Sequence, residues 1–271
     1  MSDSPIHPTL PLPAATILLL RNGALGLEVF MVVRHHEIDF ASGALVFPGG
    51  KVEPEDENPA LTAQATGLST DPVQASLEIA AIREAFEECG VLLARPEPPD
   101  KTDSQLISGT RLAGLDPERK RIHAGDLSWL DFLQRENLCL ACDVLIHFAH
   151  WITPPIMPKR FDTHFYIAPA PDDQLLAHDG YESVDSVWIR PQDALAQAAR
   201  GERTIIFPTL RNLEKLATFD SVEQALEETP RHPVIPVTPW TEKRQDGTYL
   251  LIPDNAGYEN CEQKLPPGFG R

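Results

Sequence analysis

Apolar residues along the chain fall into short runs separated by turn signals, and these runs predict the strands. Two early runs, residues 15–20 and 27–33, are joined by a turn that contains Asn22 and Gly23, which favours a hairpin. A third extended segment covers residues 45–47, and later strands are predicted over 144–151, 161–167 and 186–189. The strands therefore begin early and resume after a long interval.

The segment between residues 71 and 90 predicts a helix with its own start and stop. Asp71 is placed as the N-cap, Pro72 occupies the first helical position, and Gln74 has the spacing of a capping box. Gly90 is a typical stop. Further helices are predicted over residues 116–123, 127–137, 191–199, 209–217 and 221–228, and a late hairpin around Asp246 and Gly247. Strands and helices therefore alternate along the chain, with a hairpin at the start.

The helix that begins after Asp71 has two unlike sides. At about 100° per residue, Ile82, Phe86 and Cys89 share one side and are expected in the core. Three acidic residues fall on the other side and are expected to face away from the core: Glu84, Glu87 and Glu88. Carboxylates crowded in this way attract a cation, although a solvated acidic face is the commoner explanation of such a triplet.

Composition restricts the class of protein. With 271 residues and 42% hydrophobic content, the chain can bury a large core in one elaborated domain, residues 1–271. A net charge of −17 opposes binding to the phosphate backbone of nucleic acid. The apolar run at residues 14–20 is too short to span a bilayer, and residues 1–13 contain no Lys or Arg for a signal peptide. We therefore expect no nucleic-acid or membrane partner and a cytoplasmic location.

The four cysteines do not form a disulfide framework in a chain of this length, which indicates a reducing compartment. Cys139 and Cys142 form a lone CxxC pair, and a structural zinc site would need two further Cys or His ligands. Buried thiols are therefore expected at these positions.

Two segments together carry a family resemblance: the glycine-rich loop Phe47-Pro48-Gly49-Gly50, and the helical segment Arg83-Glu84-Ala85-Phe86-Glu87-Glu88-Cys89-Gly90-Val91. They resemble the signature of the Nudix hydrolases, G-x5-E-x7-R-E-U-x-E-E-x-G-U, in which U is a bulky aliphatic residue. The second half of the signature is matched, apart from the small Ala85.

The first half of the signature is interrupted. Arg83 follows Gly50 by 33 positions, whereas the signature separates them by 14, so this chain has 19 extra residues. Counting forward from Gly50 places the family's first glutamate at Asp56, and counting back from Arg83 places it at Ala75. Asp56 and the adjacent Glu57 are both candidates for its role, and the sequence does not choose between them.

Weaker similarity extends from about residue 14 to residue 258, through residues 43–50, 151–154, 160–166, 208–210 and 251–254. It resembles the Nudix subgroup that contains the animal peroxisomal coenzyme A diphosphatase, a subgroup that also has an interrupted signature. The resemblance implies an α+β fold class, a mixed β-sheet sandwich flanked by helices, and the alternation of strands and helices along the chain matches it. Three additions are expected: a surface loop insertion over residues 57–70, a helical insertion over 95–139 that is either a lid or a stabilising appendage, and a Pro-rich C-terminal extension over 230–271.

The resemblance also implies roles for the residues of the signature. Glu87 and Glu88 are expected to bind a metal ion with the Gly49 carbonyl, and Glu84 either binds it too or orients the attacking water. Arg83 is expected to pair with a carboxylate and to keep the loop and the helix in register. Oxygen ligands of this kind suit Mg²⁺ or Mn²⁺ as the cofactor.

Substrate-binding candidates lie outside the signature. Arg34 and His35 end the second predicted strand near the glycine loop, where they either approach a phosphate or are exposed strand-end residues. Arg160, Asp162 and His164 alternate along a strand and should share a face. This pattern has two interpretations. Arg160 and Asp162 form an ion pair, or the residues form a site for a substrate or a further metal ion.

The expected reaction is cleavage of a pyrophosphate bond in a small-molecule nucleoside diphosphate derivative. Coenzyme A or acyl-coenzyme A is favoured, with ADP-ribose or NADH as alternatives. A neighbouring coenzyme A branch of the family carries two arginines ahead of the glycine loop, and Asp39 stands where the second would be. The alternative to an enzyme is a non-catalytic module that binds a nucleotide without cleaving it. Retention of the three glutamates favours the enzyme. The sequence leaves the oligomeric state open, a homodimer included.

Overall fold

The computed structural model describes residues 9–34, 43–97, 105–174 and 183–266. Its strands are β1 (Leu12–Gly23), β2 (Gly26–Arg34), β3 (Leu45–Val46), β4 (Gly49–Lys51), β5 (Ala65–Thr66), β6 (Ala94–Pro96), β7 (Leu138–Ala141), β8 (Ile146–Ile152), β9 (Phe161–Pro169), β10 (Ser183–Ile189), β11 (Pro236–Val237), β12 (Trp240–Arg244), β13 (Gly247–Leu251) and β14 (Glu262–Lys264). Its α-helices are α1 (Pro72–Cys89), α2 (Gly109–Ala113), α3 (Asp116–His123), α4 (Trp129–Glu136), α5 (Pro191–Ala199), α6 (Phe207–Leu216) and α7 (Val222–Glu228).

A mixed sheet forms the centre of the molecule. Its strand order is β10-β2-β1-β9-β8-β11, with β3 added to β2 and β4 added to β1. The predicted early hairpin is confirmed, because β1 and β2 pair antiparallel up to Gly23 and Gly26. β1 then pairs in parallel with β9 along its length, from Leu12 opposite Phe161 to Leu20 opposite Pro169. The strand nearest the start of the described chain is therefore central to the sheet.

Alternating residues of β1 enter two separate cores. Ile17 and Leu19 pack with α1 on one face of the sheet. Leu18 and Leu20 pack on the other face, in the core that also contains buried residues of α5, α6 and α7. Because both faces are covered, the strand is a continuous apolar run and does not alternate with polar residues. The predicted α+β class, a mixed β-sheet flanked by helices, is confirmed.

The helical insertion, residues 95–139, contributes to the first of these cores. Trp129 and Phe132 of α4 are fully buried, and their rings lie 5.9 and 5.3 Å from that of Phe86 on α1. β6 and β7, at the two ends of the insertion, pair with each other in a small sheet of order β5-β7-β6. The insertion is therefore integrated into the core beside α1.

The loop insertion, residues 57–70, differs from the predicted surface loop. A 3-10 helix, Pro59–Gln64, begins after Asn58, which accepts a hydrogen bond from the Ala60 N–H at 3.0 Å. Leu61 is fully buried on this helix. The following strand β5 pairs with β7, so the two insertions pack together. Ala and Leu in the inserted sequence supply apolar contacts that local composition alone did not reveal.

The C-terminal region also packs on the main sheet. β11 pairs with the edge strand β8, and the predicted hairpin at Asp246 and Gly247 is confirmed as β12 and β13. Tyr258 is buried, donates a hydrogen bond to Asn212 at 2.8 Å and accepts one from the Trp151 indole. All four cysteines are free thiols, as expected. Among the described helices, none combines the length and the apolar character that a bilayer crossing requires.

Candidate active site

The acidic helix α1 begins and ends where the sequence predicts. Asp71 accepts hydrogen bonds from the N–H groups of Val73 and Gln74 at 2.8 and 3.2 Å, and Gly90 ends the helix in the left-handed region at φ 68°. The reciprocal half of the predicted capping box is not seen. The Gln74 side chain instead accepts a hydrogen bond from the Tyr166 hydroxyl at 3.2 Å, which joins the start of α1 to β9.

The glycine loop contacts α1 through its main chain. β4 pairs with β1 so that Gly49 lies opposite Thr16 and Gly50 opposite Ala15. The Gly49 N–H donates a hydrogen bond to a carboxylate oxygen of Glu88 at 2.9 Å. A Cβ on Gly50 would lie 2.3 Å from Glu84, and one on Gly49 would lie 2.4 Å from the Ala15 carbonyl oxygen. The absence of a Cβ on Gly50 therefore leaves room for Glu84, and its absence on Gly49 lets β4 lie against β1 while the Gly49 N–H contacts Glu88.

Arg83 and Asp56 form a buried ion pair between α1 and the loop after β4. The guanidinium donates to both Asp56 oxygens at 3.0 Å, and it also donates to the Lys51 carbonyl oxygen at 3.0 Å. Arg83 is 4% exposed and Asp56 is 1% exposed. This bidentate geometry connects the helix to the loop, as the resemblance implies for Arg83.

The position of Asp56 shows where the 19 residues that interrupt the signature lie. Asp56 is the residue reached by counting forward from Gly50, and it also accepts a hydrogen bond from the Glu53 N–H at 2.8 Å. Its neighbour Glu57 is exposed, and Ala75, reached by counting back from Arg83, lies in the first turns of α1. The interruption therefore lies between Asp56 and α1, and the contact with Arg83 is preserved.

Arg83 is also the countercharge for two glutamates. Its Nη1 lies 3.0 Å from Glu84 and 3.0 Å from Glu87. Burial by itself would lower the pKa of Arg83, but the negative charges of Glu84, Asp56 and Glu87 outweigh it and raise the pKa. Burial raises the pKa of Asp56 and of Glu87, and the contacts with Arg83 oppose both shifts. We call these five residues the carboxylate cluster: Asp56, Arg83, Glu84, Glu87 and Glu88.

The three glutamates are predicted to face away from the apolar core, but the burial of Glu88 by the glycine loop was not predicted. Glu88 is 7% exposed because it turns toward the Gly49 N–H, and Glu84 and Glu87 are half-buried. Three carboxylates fit Mg²⁺ or Mn²⁺ in donor chemistry. Glu84 and Glu87 both contact Nη1 of Arg83, and Glu88 accepts a hydrogen bond from the Gly49 N–H. Two of the three carboxylates therefore meet at one cationic atom.

Arg119, which the sequence analysis did not single out, holds the end of α1. It belongs to α3 in the helical insertion and donates two hydrogen bonds to the Glu87 carbonyl oxygen, at 3.0 and 2.8 Å. The last carbonyls of a helix have no partner within the helix, and a cation near this end is favourable. The insertion therefore supports a residue of the carboxylate cluster directly. No sequence signal separates Arg119 from the other basic residues of α3.

The predicted substrate-binding residues are scattered. Arg34 is half-buried at the end of β2, and His35 lies outside the described residues. Arg160 donates hydrogen bonds to the carbonyl oxygens of Thr153 and Thr9 at 2.9 and 2.7 Å, so the predicted ion pair with Asp162 does not form between these described residues. His164 is 6% exposed on β9.

Asp162 and His164 instead contact two histidines of β8. We call these four residues the imidazole cluster: His147, His150, Asp162 and His164. His150 pairs with Asp162 through Nε2, and its ring stacks on that of His164 with centroids 3.9 Å apart. Burial lowers the pKa of His147 to about 4 and that of His164 to about 3, so both rings are neutral at pH 7. Alternation along β9 predicts the half of this group that lies on β9, but His147 and His150 on β8 were not predicted.

Comparison with known proteins identifies relatives. A family model described as the NUDT19 Nudix domain matches residues 58–216. Acyl-coenzyme A diphosphatase NUDT19 of Xenopus laevis is 25% identical over 242 residues, which cover 75% of this chain and 63% of that protein. The human protein of the same name is 28% identical over 202 residues, covering 70% and 52%. The putative nudix hydrolase 7 of Caenorhabditis elegans is 25% identical over 190 residues, covering 70% and 56%.

Each of these three matches spans less than two thirds of the relative. Among solved structures, a NUDIX hydrolase from Alicyclobacillus acidocaldarius superposes with a TM-score of 0.63 at 27% identity, covering 81% of this chain and 96% of that one. The family match covers more than half of the chain and contains α1 with its three glutamates. The chain therefore belongs to the NUDT19 Nudix domain family of the Nudix hydrolases.

Proposed function

We propose that the chain is a divalent-metal-dependent diphosphatase that hydrolyses the pyrophosphate bond of coenzyme A or an acyl-coenzyme A. The observation that carries this proposal is the carboxylate cluster. The buried pair of Arg83 and Asp56 attaches α1 to the loop that follows β4, and in β4 itself Gly50 leaves room for Glu84 and the Gly49 N–H contacts Glu88. A set of carboxylates in this setting fits a hard cation and the phosphates that accompany it.

Each residue of the cluster has a distinct part in the proposed reaction. Mg²⁺ or Mn²⁺, when bound, offsets charge on the diphosphate and lowers the pKa of a water molecule. Glu87 and Glu88 would hold the cation with the Gly49 carbonyl, and Glu84 would bind it or orient the water for in-line attack on phosphorus. Arg83 does not touch the substrate. It keeps Glu84 and Glu87 in place through its contacts with both.

Two relatives named acyl-coenzyme A diphosphatase support the substrate class. Attack of water on one phosphorus and departure of the other phosphate would divide coenzyme A into 3',5'-ADP and phosphopantetheine. ADP-ribose and NADH contain the same type of bond and are the next candidates. A net charge of −17 supports a small-molecule partner over nucleic acid. A cytoplasmic location and a homodimer stay predictions.

A product-identified screen tests the proposal. The purified full chain is incubated with coenzyme A, acetyl-coenzyme A, ADP-ribose or NADH in Mg²⁺ or Mn²⁺, and the products are separated by chromatography. We expect 3',5'-ADP from the coenzyme A compounds, and none when a chelator is present. If AMP is formed from ADP-ribose or NADH and coenzyme A is not cleaved, the proposed substrate class is wrong, although the proposed type of reaction is correct.

Glu88→Gln is the matched inactive variant, and Glu57→Gln is the control because Glu57 is an exposed acid of the same loop region. Only the first should abolish product formation. If no compound is cleaved by the unmodified chain and a nucleotide still raises its melting temperature, the alternative of a non-catalytic binding module is correct.

A further inference from the structure

The imidazole cluster lies outside the residues that the Nudix signature uses. Its possible ligand atoms come from His150, Asp162 and His164, and all three lie within 4.8 Å of one another. Among the described residues, no other group of three His, Cys, Asp or Glu side chains has its possible ligand atoms this close together. Nε2 of His164 lies 3.8 Å from Asp162 Oδ1, and His150 contacts the same oxygen.

Strand geometry brings these side chains to one face. His150 lies opposite His164 in the antiparallel pair of β8 and β9, and Asp162 precedes His164 by two residues on the same strand. Opposed residues and residues two apart both share a face of a sheet. That face is the one covered by α1, since Ala15, which lies opposite His164, packs against Leu77 of that helix.

A fourth side chain, His147, contacts His164 through the ring nitrogen that does not face Asp162. Nδ1 of His164 lies 3.1 Å from Nε2 of His147, a hydrogen-bond distance that requires one N–H and one lone pair. Two tautomers fit this distance, and in one of them Nδ1 of His164 carries the N–H and Nε2 has the lone pair that a metal ion needs. Metal-binding histidines typically donate their second ring N–H to a partner of this kind, which is the role available to His147.

We propose that His150, Asp162 and His164 bind a transition-metal ion of the zinc class, with His147 as the supporting partner of His164. Two imidazoles and one carboxylate are donors that Zn²⁺ and Co²⁺ prefer over Mg²⁺. Tetrahedral coordination at about 2.1 Å places ligand atoms roughly 3.4 Å apart, so His150 separates slightly from Asp162 and His164 moves closer. Three protein ligands leave one position open for water or a ligand oxygen.

This site is separate from the carboxylate cluster. His164, Ala15 and Gly50 lie in one row across β9, β1 and β4, so His164 and Gly50 are two strand spacings apart, about 10 Å. Paired metal ions that act on one phosphate lie only about 3.5–4 Å apart. The two clusters therefore bind their ions independently, and each can be removed without the other.

The test uses the full chain after chelator treatment, titrated with Co²⁺ in excess Mg²⁺. Tetrahedral Co²⁺ absorbs visible light, so binding is followed directly. We expect one equivalent of Co²⁺ to bind to the unmodified chain, to Glu88→Gln and to His232→Ala, a control at an exposed histidine. Binding should be lost in His164→Ala and in Asp162→Asn, and His147→Phe should weaken it by about 10- to 100-fold.

Zn²⁺-dependent melting provides a second readout that does not depend on colour. Zn²⁺ should raise the melting temperature of the unmodified chain and of Glu88→Gln, and leave that of Asp162→Asn unchanged. Asp162→Asn also carries the test if His164→Ala does not fold, because Asp162 is half-buried and nearly isosteric with Asn. Absence of Co²⁺ binding by the unmodified chain, or equal binding by Asp162→Asn, would overturn the proposal.

Discussion

The carboxylate cluster and the imidazole cluster lie on the same face of one sheet, yet they are assembled differently. The first joins a helix to a loop, and a buried arginine supplies its countercharge. The second joins two adjacent strands, and its carboxylate, Asp162, lies near the rings of His150 and His164. Oxygen donors dominate one cluster and nitrogen donors the other, so the difference predicts two metal preferences in one molecule.

The comparison also shows how each cluster depends on its surroundings. The imidazole cluster depends on strand pairing, because the register of β8 and β9 determines which side chains come into contact. The carboxylate cluster depends on contacts from four segments: β4, the loop with Asp56, α1 and the insertion helix α3. We expect the carboxylate cluster to be the more sensitive to single substitutions, and the following predictions test this from the largest effect to the smallest.

The largest effect is expected for the glutamates of the carboxylate cluster. Glu87→Gln and Glu88→Gln should each reduce turnover by orders of magnitude, because a neutral amide is a poor ligand for a hard cation. Isothermal calorimetry should show weaker Mg²⁺ binding, and Co²⁺ binding at the imidazole cluster should be unchanged. Near-normal turnover in saturating Mg²⁺ would contradict the role proposed for the substituted residue.

Asp56→Asn should cause the largest loss of stability. It leaves the buried Arg83 without its bidentate partner, and breaking a buried ion pair lowers the free energy of unfolding by about 3 kcal/mol. Urea denaturation of Glu57→Gln, the exposed neighbour, should show a change of less than about 0.5 kcal/mol. Equal stability of the two variants would mean that Arg83 is held by its other contacts.

The two loop glycines should separate stability from metal binding. Gly49→Ala places a Cβ against the main chain of Ala15 at a φ of +154°, and strain of this kind lowers the free energy of unfolding by about 1–3 kcal/mol. Gly50→Ala instead displaces the end of the Glu84 side chain, so it should weaken Mg²⁺ binding with little change in urea stability. The reverse pattern would show that Gly50 is the rigid position.

The smallest effect is expected for Arg119→Gln. Loss of its charged hydrogen bonds to the Glu87 carbonyl should lower the free energy of unfolding by about 1.5 kcal/mol and reduce turnover modestly. Arg121→Gln, an exposed substitution on the same helix, is the control for both measurements. Turnover unaffected by Arg119→Gln would mean that the insertion stabilises α1 without influencing the carboxylate cluster.

Local patterns predict most of the secondary structure. The predicted helices at residues 116–123 and 191–199 coincide with α3 and α5, and Asp71 and Gly90 limit α1 as expected. The limits of α1 depend on capping chemistry, whereas α3 and α5 have no side-chain N-cap and begin with a proline in the first turn. Both signals are properties of a few neighbouring residues. The alternation along β9 likewise indicated that Asp162 and His164 share a face.

What could not be predicted depends on contacts between distant segments. Helical periodicity places Glu88 opposite the apolar side, but the loop that buries it lies 39 residues away. The choice of Asp56 over Glu57 depends on the contact of Asp56 with Arg83, 27 residues away, and Arg119 reaches α1 from the helical insertion. The histidines of β8 join Asp162 only through the register of two strands, which neither strand specifies alone.

The parallel pairing of β1 with β9 has a consequence for how the chain folds during synthesis. β1 and β2 can form their hairpin early, but the other edge of β1 has no partner until residues 161–169 have left the ribosome. At typical translation rates of about 5–20 residues per second, that interval lasts on the order of ten seconds or more. An apolar strand waiting that long with an open edge is a target for chaperones and for aggregation, so expression at lower temperature should increase the soluble yield.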